Sequence, residues 1–281
     1  MSVQDPAQAY LELLKKALTG SLYDESSWAI VPPSKPGLRA LRNPPRFLRD
    51  WVRYSVARGY RKRSRVLVKM RPFRPEQRNE GKDWPLIGYT MTGHKRLDNV
   101  QQCVEDVLRR HVPGDFIETG AWRGGTTIFV RGILKAYGIT DRRVWVADSF
   151  EGLPAPMNAE DGWDLSEVDY LKVSLEQVQE NFRKFDLLDG QVEFVKGWFC
   201  DTLPRLEVPR LAILRLDGDL YSSTMDALTH LYSRVSKGGY VIVDDYFSWP
   251  SCRQAVTDFL SARALQPDIQ PIDWAAVYWQ V

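Results

Sequence analysis

Two pairs of aspartates have the residue type and the spacing to do chemistry. Asp217 and Asp219 follow the apolar run AILRL, and Asp244 and Asp245 follow the apolar run YVIV. Such runs are typical of strands that are buried on both faces of a parallel sheet. The four carboxylates would then meet at one edge of the sheet, where like charges repel each other unless they are compensated. The alternative is that each pair only caps the helix after its strand.

A bound cation would compensate these carboxylates and would also bring a reactivity. The segments LDGDLYSST and VDDY contain no His or Cys, and oxygen ligands favour Mg²⁺, Mn²⁺ or Ca²⁺ over zinc. Such a cation lowers the pKa of a bound hydroxyl group and fixes its position. A nearby carboxylate can then accept the proton. The two pairs therefore indicate a site that activates an alcohol.

A glycine-containing turn stands where a sheet of this kind binds ligands. In residues 116–127 (FIETGAWRGGTT), a strand ends in a turn and a helix follows. The residues at this junction are Glu118, Thr119, Gly120 and Ala121. The segment lacks both GxGxxG and GxxxxGK[ST], which disfavours dinucleotides and nucleoside triphosphates. S-adenosylmethionine (SAM) has no phosphate and needs only a sharp turn and an acid for its amino group, which Glu118 could supply. The alternative is an ordinary strand-to-helix turn.

The next strand also ends in an acid. Asp148 and Ser149 follow the run VWVA. An acid at the end of the second strand can accept hydrogen bonds from both ribose hydroxyls of an adenosine. The alternative is a helix cap, for which Asp and Ser are common. Together with the glycine turn, Asp148 favours an adenosine-containing ligand.

The elements that must position these residues alternate between strand and helix from about Met91 onward. This alternation predicts a doubly wound, Rossmann-like α/β fold with a seven-stranded, mostly parallel sheet and an antiparallel strand near the C-terminus. The residues LSEVDYLKVSLEQVQENFRKF predict one long helix over 165–185. We expect a core domain over 85–281.

The preceding residues, 1–84, predict a helical and basic extension that acts as a lid or an oligomer contact. Apolar spacing predicts helices over 8–19 and 46–60, whereas VPPSKPG and the residues Asn43-Pro44-Pro45 favour extended chain. Residues 39–78 contain 14 Lys and Arg against two acids, so a net charge of +2 conceals a basic segment on an acidic body. This segment could be a solvated face, a lid or a membrane-surface contact.

The remaining composition excludes several classes of protein. The three cysteines are far apart, which indicates neither a zinc cluster nor a disulfide framework and suits the cytoplasm. The N-terminus has no apolar region of the signal-peptide type, and no apolar run is long enough to span a membrane. We expect no nucleic-acid partner, because the acidic body would face the same polymer.

Five motifs in order resemble the macrocin O-methyltransferase family, whose members methylate sugar hydroxyls of antibiotics and related glycosides. They are FIETGAWRGGTT, ADSFEGLP, GWFCDTLP, LDGDLYSST and GGYVIVDDY, and the segment TMTGHKRLDNV before the first core strand is also similar. The resemblance covers residues 85–281 and implies a SAM-binding fold. It also implies a small-molecule glycoside as acceptor, and we expect a homo-oligomer.

The resemblance assigns roles to individual residues. It implies dependence on Mg²⁺, with Mn²⁺ as a substitute, and Asp217, Asp244 and Asp245 as the metal ligands. Asp219 is implied as the general base.

For the cofactor, the resemblance implies that Gly197, Trp198 and Phe199 flank the adenine and that Met91 lies near SAM. Asp217 is expected to lie close to SAM as well as to the metal. Glu118, Thr119, Gly120, Ala121, Asp148 and Ser149 complete the predicted cofactor site.

Two other functions stay open at this stage. The same metal chemistry would serve methylation of a catechol, another phenol or another small molecule. A protein of another class would keep the SAM-binding fold without catalysis and bind a membrane or a partner through its basic segment. The four acids speak against this second alternative, because a scaffold would not need them.

Overall fold

The computed structural model describes residues 5–30, 44–61, 68–156, 161 and 164–281. The predicted Pro-rich link at 31–37 and two parts of the basic segment, residues 39–43 and 62–67, lie outside the described residues.

The N-terminal segment contains strands as well as helices. It comprises α1 (Pro6–Leu18), β1 (Ser27–Ile30), α2 (Pro44–Arg61), β2 (Val68–Arg71), α3 (Pro75–Asn79) and β3 (Trp84–Pro85). The strands form an antiparallel sheet in the order β2-β1-β3. Helices and extended Pro-rich chain were predicted here, and this sheet was missed because its strands are short and β1 and β2 are far apart in the chain.

Both predicted N-terminal helices are present. The side chain of Asp5 accepts a hydrogen bond from the N–H of Ala7 at 3.0 Å and so caps α1, and Gly20 follows its end with a φ of 71°. The prediction of extended chain at Pro44-Pro45 was wrong, since α2 begins at Pro44. Proline is tolerated in a first helical turn, where its missing N–H would have no partner.

The core of the molecule is a seven-stranded sheet with the order β6-β5-β4-β7-β8-β10-β9. Its strands are β4 (Asp115–Thr119), β5 (Val144–Asp148), β6 (Val192–Lys196), β7 (Leu211–Leu216), β8 (Val235–Val243), β9 (Gln270–Pro271) and β10 (Val277–Gln280). Neighbouring strands from β6 to β8 are parallel, whereas β10 runs antiparallel to β8 and to β9. This confirms the predicted doubly wound, mostly parallel sheet.

Strand order reverses at β4, which lies between β5 and β7. Chain connections leave in opposite directions on the two sides of such a strand, and a crevice opens beyond the carboxyl ends. The predicted glycine turn follows β4, and the four aspartates follow β7 and β8. All of them therefore lie at the edge of the sheet where this crevice opens.

Helices cover both faces of the sheet. They are α4 (His94–Arg109), α5 (Gly125–Ala136), α6 (Leu175–Lys184), α7 (Phe199–Thr202), α8 (Tyr221–Leu231) and α9 (Pro250–Ala262). One apolar cluster joins the sheet to α4, α5 and α6, and the other joins it to α8 and α9. All six residues of β7 are buried, as expected for a central strand that is covered on both faces.

Helix α1 belongs to the first of these clusters. Leu11 and Leu18 are fully buried there and Leu14 is 4% exposed. The first helix of the predicted extension thus shares the hydrophobic core of the main sheet. The division of the chain at residue 84 stays a prediction.

The long helix predicted over 165–185 is wrong in its first half. The structure has a single turn of 3-10 helix at Asp169–Leu171 and begins α6 only at Leu175. Tyr170 stacks on Trp84 at 5.4 Å between ring centroids, and its carbonyl accepts a hydrogen bond from Trp122 Nε1 at 3.0 Å. These tertiary contacts and the cap that Ser174 forms on α6 outweigh the local helical spacing.

Among the described residues, every helix is too short or too polar to cross a membrane.

Candidate active site

A cavity of about 480 Å³ opens beyond the carboxyl ends of the strands β4 to β8. Its walls contain most of the site residues predicted from the sequence. These are Met91, Glu118, Gly120, Ala121, Asp148, Ser149, Trp198, Phe199, Asp217, Asp219, Asp244 and Asp245. The topology therefore brings residues from the ends of five strands, β4 to β8, into one wall.

Thr119 and Gly197 are the predicted residues that do not line this cavity. The carbonyl of Thr119 accepts a hydrogen bond from the N–H of Asp217 at 2.9 Å, and the N–H of Gly197 donates to the carbonyl of Asp148 at 3.0 Å. Each of these hydrogen bonds thus joins the ends of two neighbouring strands, although neither residue lines the cavity itself.

Gly120 is required at the end of β4 by close backbone contact. Its φ is 95°, which favours glycine. A Cβ at this position would overlap the carbonyl oxygen of Asp217 and would lie 2.6 Å from its carbon. The turn therefore presses directly against the segment that carries the acids.

Asp148 binds the glycine turn. Its Oδ2 accepts hydrogen bonds from the N–H groups of Ala121 at 2.7 Å and Trp122 at 3.1 Å, and its Oδ1 accepts one from Phe150 at 2.7 Å. Burial raises the pKa of Asp148, and these three N–H groups oppose the rise. Ser149 Oγ also lies 3.4 Å from Oδ1, so a ligand hydroxyl would have to replace or share this longest contact.

Three aspartates at the ends of β7 and β8 form a compact set of ligands. Asp217, Asp244 and Asp245 each offer a carboxylate oxygen within 4.8 Å of the others. Asp245 accepts a hydrogen bond from Ser248 Oγ at 2.8 Å through Oδ1. Its Oδ2 is buried without a hydrogen-bond partner among the described residues. Burial and the charges of Asp219, Asp244 and Asp217 raise the pKa of Asp245 well above its usual value.

Two buried arginines that the sequence analysis missed contact this set. Arg215 donates to Asp217 Oδ2 at 2.6 Å, to Thr92 Oγ1 at 3.0 Å and also to Asp244. Arg96 donates to the other oxygen of Asp244. It also donates to Asp273 at 2.8 Å.

These arginines weaken the inference of a bound cation from the repulsion between the acids. The sequence analysis considered the four acids alone and inferred a cation from their repulsion, whereas two guanidinium groups already supply part of the compensation. Glu118 and Asp273 also pair with these arginines. Carboxylates therefore still outnumber the arginines around the cavity wall.

Glu118 connects the glycine turn to the acids through Arg215. Its Oε1 accepts a hydrogen bond from Arg215. Its Oε2 is buried without a partner among the described residues. Burial raises the pKa of Glu118 to about 8, against the lowering effect of Arg215.

Asp219 differs from the other acids in its backbone. Its φ of 58° is uncommon for a residue other than glycine. Burial and the charges of Asp217 and Asp244 raise the pKa of Asp219 to about 8.

Part of the cavity wall is aromatic. Trp84, Trp249 and Trp274 line it, and Trp274 is 42% exposed although its Nε1 donates to the carbonyl of Glu80 at 2.6 Å. Cys200, the exposed one of the three cysteines, lies in the wall beside Phe199. Sequence reasoning did not single out Trp274, because no local motif surrounds it.

A family model described as Macrocin-O-methyltransferase (TylF) matches residues 7–281. The match includes nearly all of the N-terminal segment, whereas the motifs confined the resemblance to residues 85–281.

Individual proteins agree with this match. Demethyldecarbamoylnovobiocin O-methyltransferase of Streptomyces niveus is 52% identical over 215 residues, which are 74% of this chain and 81% of that protein. The 8-demethyl-8-(2,3-dimethoxy-alpha-L-rhamnosyl)-tetracenomycin-C 4'-O-methyltransferase of Streptomyces olivaceus is 52% identical over 210 residues, 71% of this chain and 78% of that protein. The solved structure of the O-methyltransferase NovP is 43% identical, with a TM-score of 0.80 and 98% of both chains covered. The chain therefore belongs to the macrocin O-methyltransferase family and is a SAM-dependent O-methyltransferase.

Proposed function

We propose that this enzyme transfers the methyl group of SAM to a sugar hydroxyl of a glycosylated natural product, with the help of Mg²⁺. The observation that carries the proposal is the set of three carboxylates of Asp217, Asp244 and Asp245. They lie in the wall of the same cavity as the glycine turn. One cavity thus holds the parts that a methyl donor and a cation-activated alcohol would each require.

In the proposed cofactor site, the unpartnered Glu118 Oε2 would accept a hydrogen bond from the amino group of SAM. Asp148 would accept hydrogen bonds from the ribose hydroxyls. Trp198 and Phe199 would flank the adenine. Met91 and Ser149 complete the wall around them. When bound, SAM supplies a methyl group on a sulfonium. The task of the chain is to place an acceptor oxygen in line with it, which is an effect of proximity and orientation.

The residues around the acids fit a hard divalent cation. All three proposed ligands are carboxylates, which suit Mg²⁺ or Mn²⁺. The buried Oδ2 of Asp245 has no partner among the described residues. Both oxygens of Asp244 already accept from arginines, so Asp217 and Asp245 offer the freer oxygens. A cation held here would lower the pKa of an acceptor hydroxyl.

Asp219 is the proposed general base. It lines the cavity next to Gly218 and the ligand Asp217, so it can reach a hydroxyl that is held there without being a ligand itself. The left-handed backbone at Asp219 turns the chain directly after Asp217.

A sugar is the proposed acceptor because of the relatives. The name of the Streptomyces olivaceus protein gives a substrate that contains a rhamnosyl group. An aromatic wall such as Trp249 and Trp274 provides apolar faces for a ring. A phenol would be activated by the same acids, but no contact in the cavity favours it over a sugar.

Thermal-shift and calorimetric titrations test the proposal. We expect SAM to raise the melting temperature, and we expect Mg²⁺ to raise it further in the wild-type protein but not in Asp245→Asn. A ligand that binds the native state stabilises it by about 2.7 kcal/mol at one hundred times its dissociation constant. Absence of any response to Mg²⁺ or Mn²⁺ would refute the metal site. Mass spectrometry of a glycoside pool incubated with labelled SAM would then identify the acceptor.

A further inference from the structure

One arginine in the centre of the sheet contacts acids of both proposed subsites. Arg215 lies inside the apolar strand β7, and its side chain is 4% exposed. Its Nη1 donates to Glu118 Oε1 and, at 2.6 Å, to Asp217 Oδ2. Its Nη2 donates to Asp244 Oδ1. A single guanidinium thus joins the acid proposed for the SAM amino group to two acids proposed for the cation.

The contacts leave one oxygen of each of two acids without a hydrogen bond from Arg215. Arg215 takes one oxygen each from Glu118 and Asp217, so that Glu118 Oε2 stays without a partner. A buried ionised group would be expensive without such a partner. Arg215 therefore keeps these acids close together while leaving one oxygen of each for a ligand.

We propose that Arg215 is a positioning residue that couples the SAM site to the cation site. The proposal rests on the proposed function, since it takes both ligands from there. A cation that binds Asp244 must compete with, or rearrange, a hydrogen bond of Arg215, because both oxygens of Asp244 already accept from arginines. Because the same guanidinium holds Glu118, such a rearrangement changes the surroundings of the SAM amino group. Each ligand then alters the affinity for the other, and by the same factor.

The planar fork of arginine is essential for this role. Arg215 uses two nitrogen atoms to reach three carboxylates and the hydroxyl of Thr92 at the same time. Lysine would keep the positive charge but concentrates its donors on one atom. The variant Arg215→Lys therefore separates positioning from simple neutralisation of charge.

A matched control exists in another buried arginine. The side chain of Arg131 is 6% exposed and pairs with Asp189, and it does not line the cavity. Arg131→Lys makes the same chemical change at a comparable depth. The variant Arg131→Lys therefore shows how much stability a buried arginine-to-lysine substitution costs by itself.

The experiment is calorimetric titration of SAM into the wild type, Arg215→Lys and Arg131→Lys, each with and without saturating Mg²⁺. In the wild type and in Arg131→Lys, we expect Mg²⁺ to change the SAM dissociation constant by at least about fivefold, the lower end of typical couplings. In Arg215→Lys, we expect this change to fall below about twofold and SAM binding to weaken about tenfold. Circular dichroism confirms that each variant is folded.

Arg215→Gln is the second variant, because it removes the charge and keeps a planar end with one donor nitrogen beside an oxygen that only accepts. We expect it also to lose the coupling. The proposal is overturned if Arg215→Lys and Arg215→Gln retain the wild-type response of SAM affinity to Mg²⁺. It is also overturned if the wild type shows no such response while Mg²⁺ alone raises its melting temperature, a result that leaves the proposed function intact. Failure of the wild type to bind SAM or Mg²⁺ at all would instead refute the proposed function.

Discussion

Asp245 lines the cavity, and Arg215 donates hydrogen bonds to Asp217 and Asp244 in its wall. These two residues were not equally visible in the sequence. Asp245 belongs to an acidic pair after an apolar run, and this pattern was enough to place it at the sheet edge. Arg215 stands inside such a run, and a charge within a buried strand needs a partner. That signal was present in the sequence and pointed to a buried ion pair. Arg96 gave no comparable signal, because it begins an ordinary amphipathic helix and reaches Asp244 only through the tertiary fold.

At this scale, Asp245→Asn should separate stability from activity. The pKa of Asp245 is raised by burial and by its acidic neighbours, so its ionised form is unfavourable in the folded, metal-free protein. The neutral amide removes this repulsion. We expect thermal unfolding without metal to show that Asp245→Asn is more stable than the wild type. We expect turnover to fall by at least about a hundredfold, as for loss of a proposed metal ligand.

Asp189→Asn is the control for this substitution. The hydrogen bond with Arg131 lowers the pKa of Asp189, so its ionised form stabilises the fold and the variant should be less stable while keeping its activity. A destabilised Asp245→Asn with wild-type turnover would contradict the assignment of Asp245 as a ligand.

Elements were predicted well wherever a local pattern coincides with burial. The strands β7 and β8 are apolar because both faces are covered, and their positions could therefore be read from the sequence. The start of α6 could not, since the stacking of Tyr170 on Trp84 joins residues far apart in the chain. The sheet of β1, β2 and β3 was missed for the same reason, because pairing between distant short strands leaves little local signal.

The turn after β4 gives a prediction at this scale. Gly120→Ala would force a Cβ into the backbone of Asp217, so strand ends must separate. We expect a loss of at least about 2 kcal/mol in urea unfolding and a loss of SAM binding.

Gly138→Ala serves as its partner, because Gly138 also has a positive φ of 65° but an added Cβ there meets no atom within 4 Å. It should cost only about 1 kcal/mol and should leave SAM binding unchanged. Equal effects of the two variants would show that backbone conformation, rather than contact with Asp217, makes Gly120 necessary.

On the scale of the whole molecule, the N-terminal segment is less separate than its sequence suggests. Its basic composition and its prolines predicted an appendage, yet Leu11, Leu14 and Leu18 pack in the main core. Amphipathic spacing identified the helix but could not identify the surface it covers. The family match from residue 7 onward agrees with a segment that belongs to the fold.

Leu14→Ala tests this integration. Removal of a leucine that is 4% exposed from the shared cluster should destabilise the protein by about 2 to 5 kcal/mol. We expect the whole protein to unfold earlier in a single transition, as monitored by calorimetry. Leu13→Ala is the neighbouring control, because Leu13 is 54% exposed and its loss should cost little. An unchanged main transition in Leu14→Ala would support an independent unit over residues 1–84.

Helix α2 gives a prediction about assembly. Its large apolar side chains are exposed at helical spacing, with Leu48 at 63%, Trp51 at 52% and Val52 at 50%. Such a patch on a basic helix favours contact with another surface, and the acidic remainder of a second copy has the complementary charge. We expect light scattering to show a homo-oligomer that Trp51→Glu reduces to a monomer.

Leu13→Glu, on the exposed face of α1, should leave the mass unchanged. If Trp51→Glu instead abolishes binding to anionic vesicles without changing the mass, α2 serves the membrane contact considered from its composition.

The accessibility of the cysteines has a practical consequence. Cys103 and Cys252 are 1% and 2% exposed, whereas Cys200 is exposed in the cavity wall. A thiol-reactive fluorophore would therefore attach at one position of the native chain, without prior replacement of the other thiols. Because burial and the charges of Asp201 and Asp226 raise the pKa of Cys200, labelling should proceed in mildly alkaline buffer. The attached dye would lie beside Phe199 and would report, as a change in emission, each arrival and departure of the methyl donor.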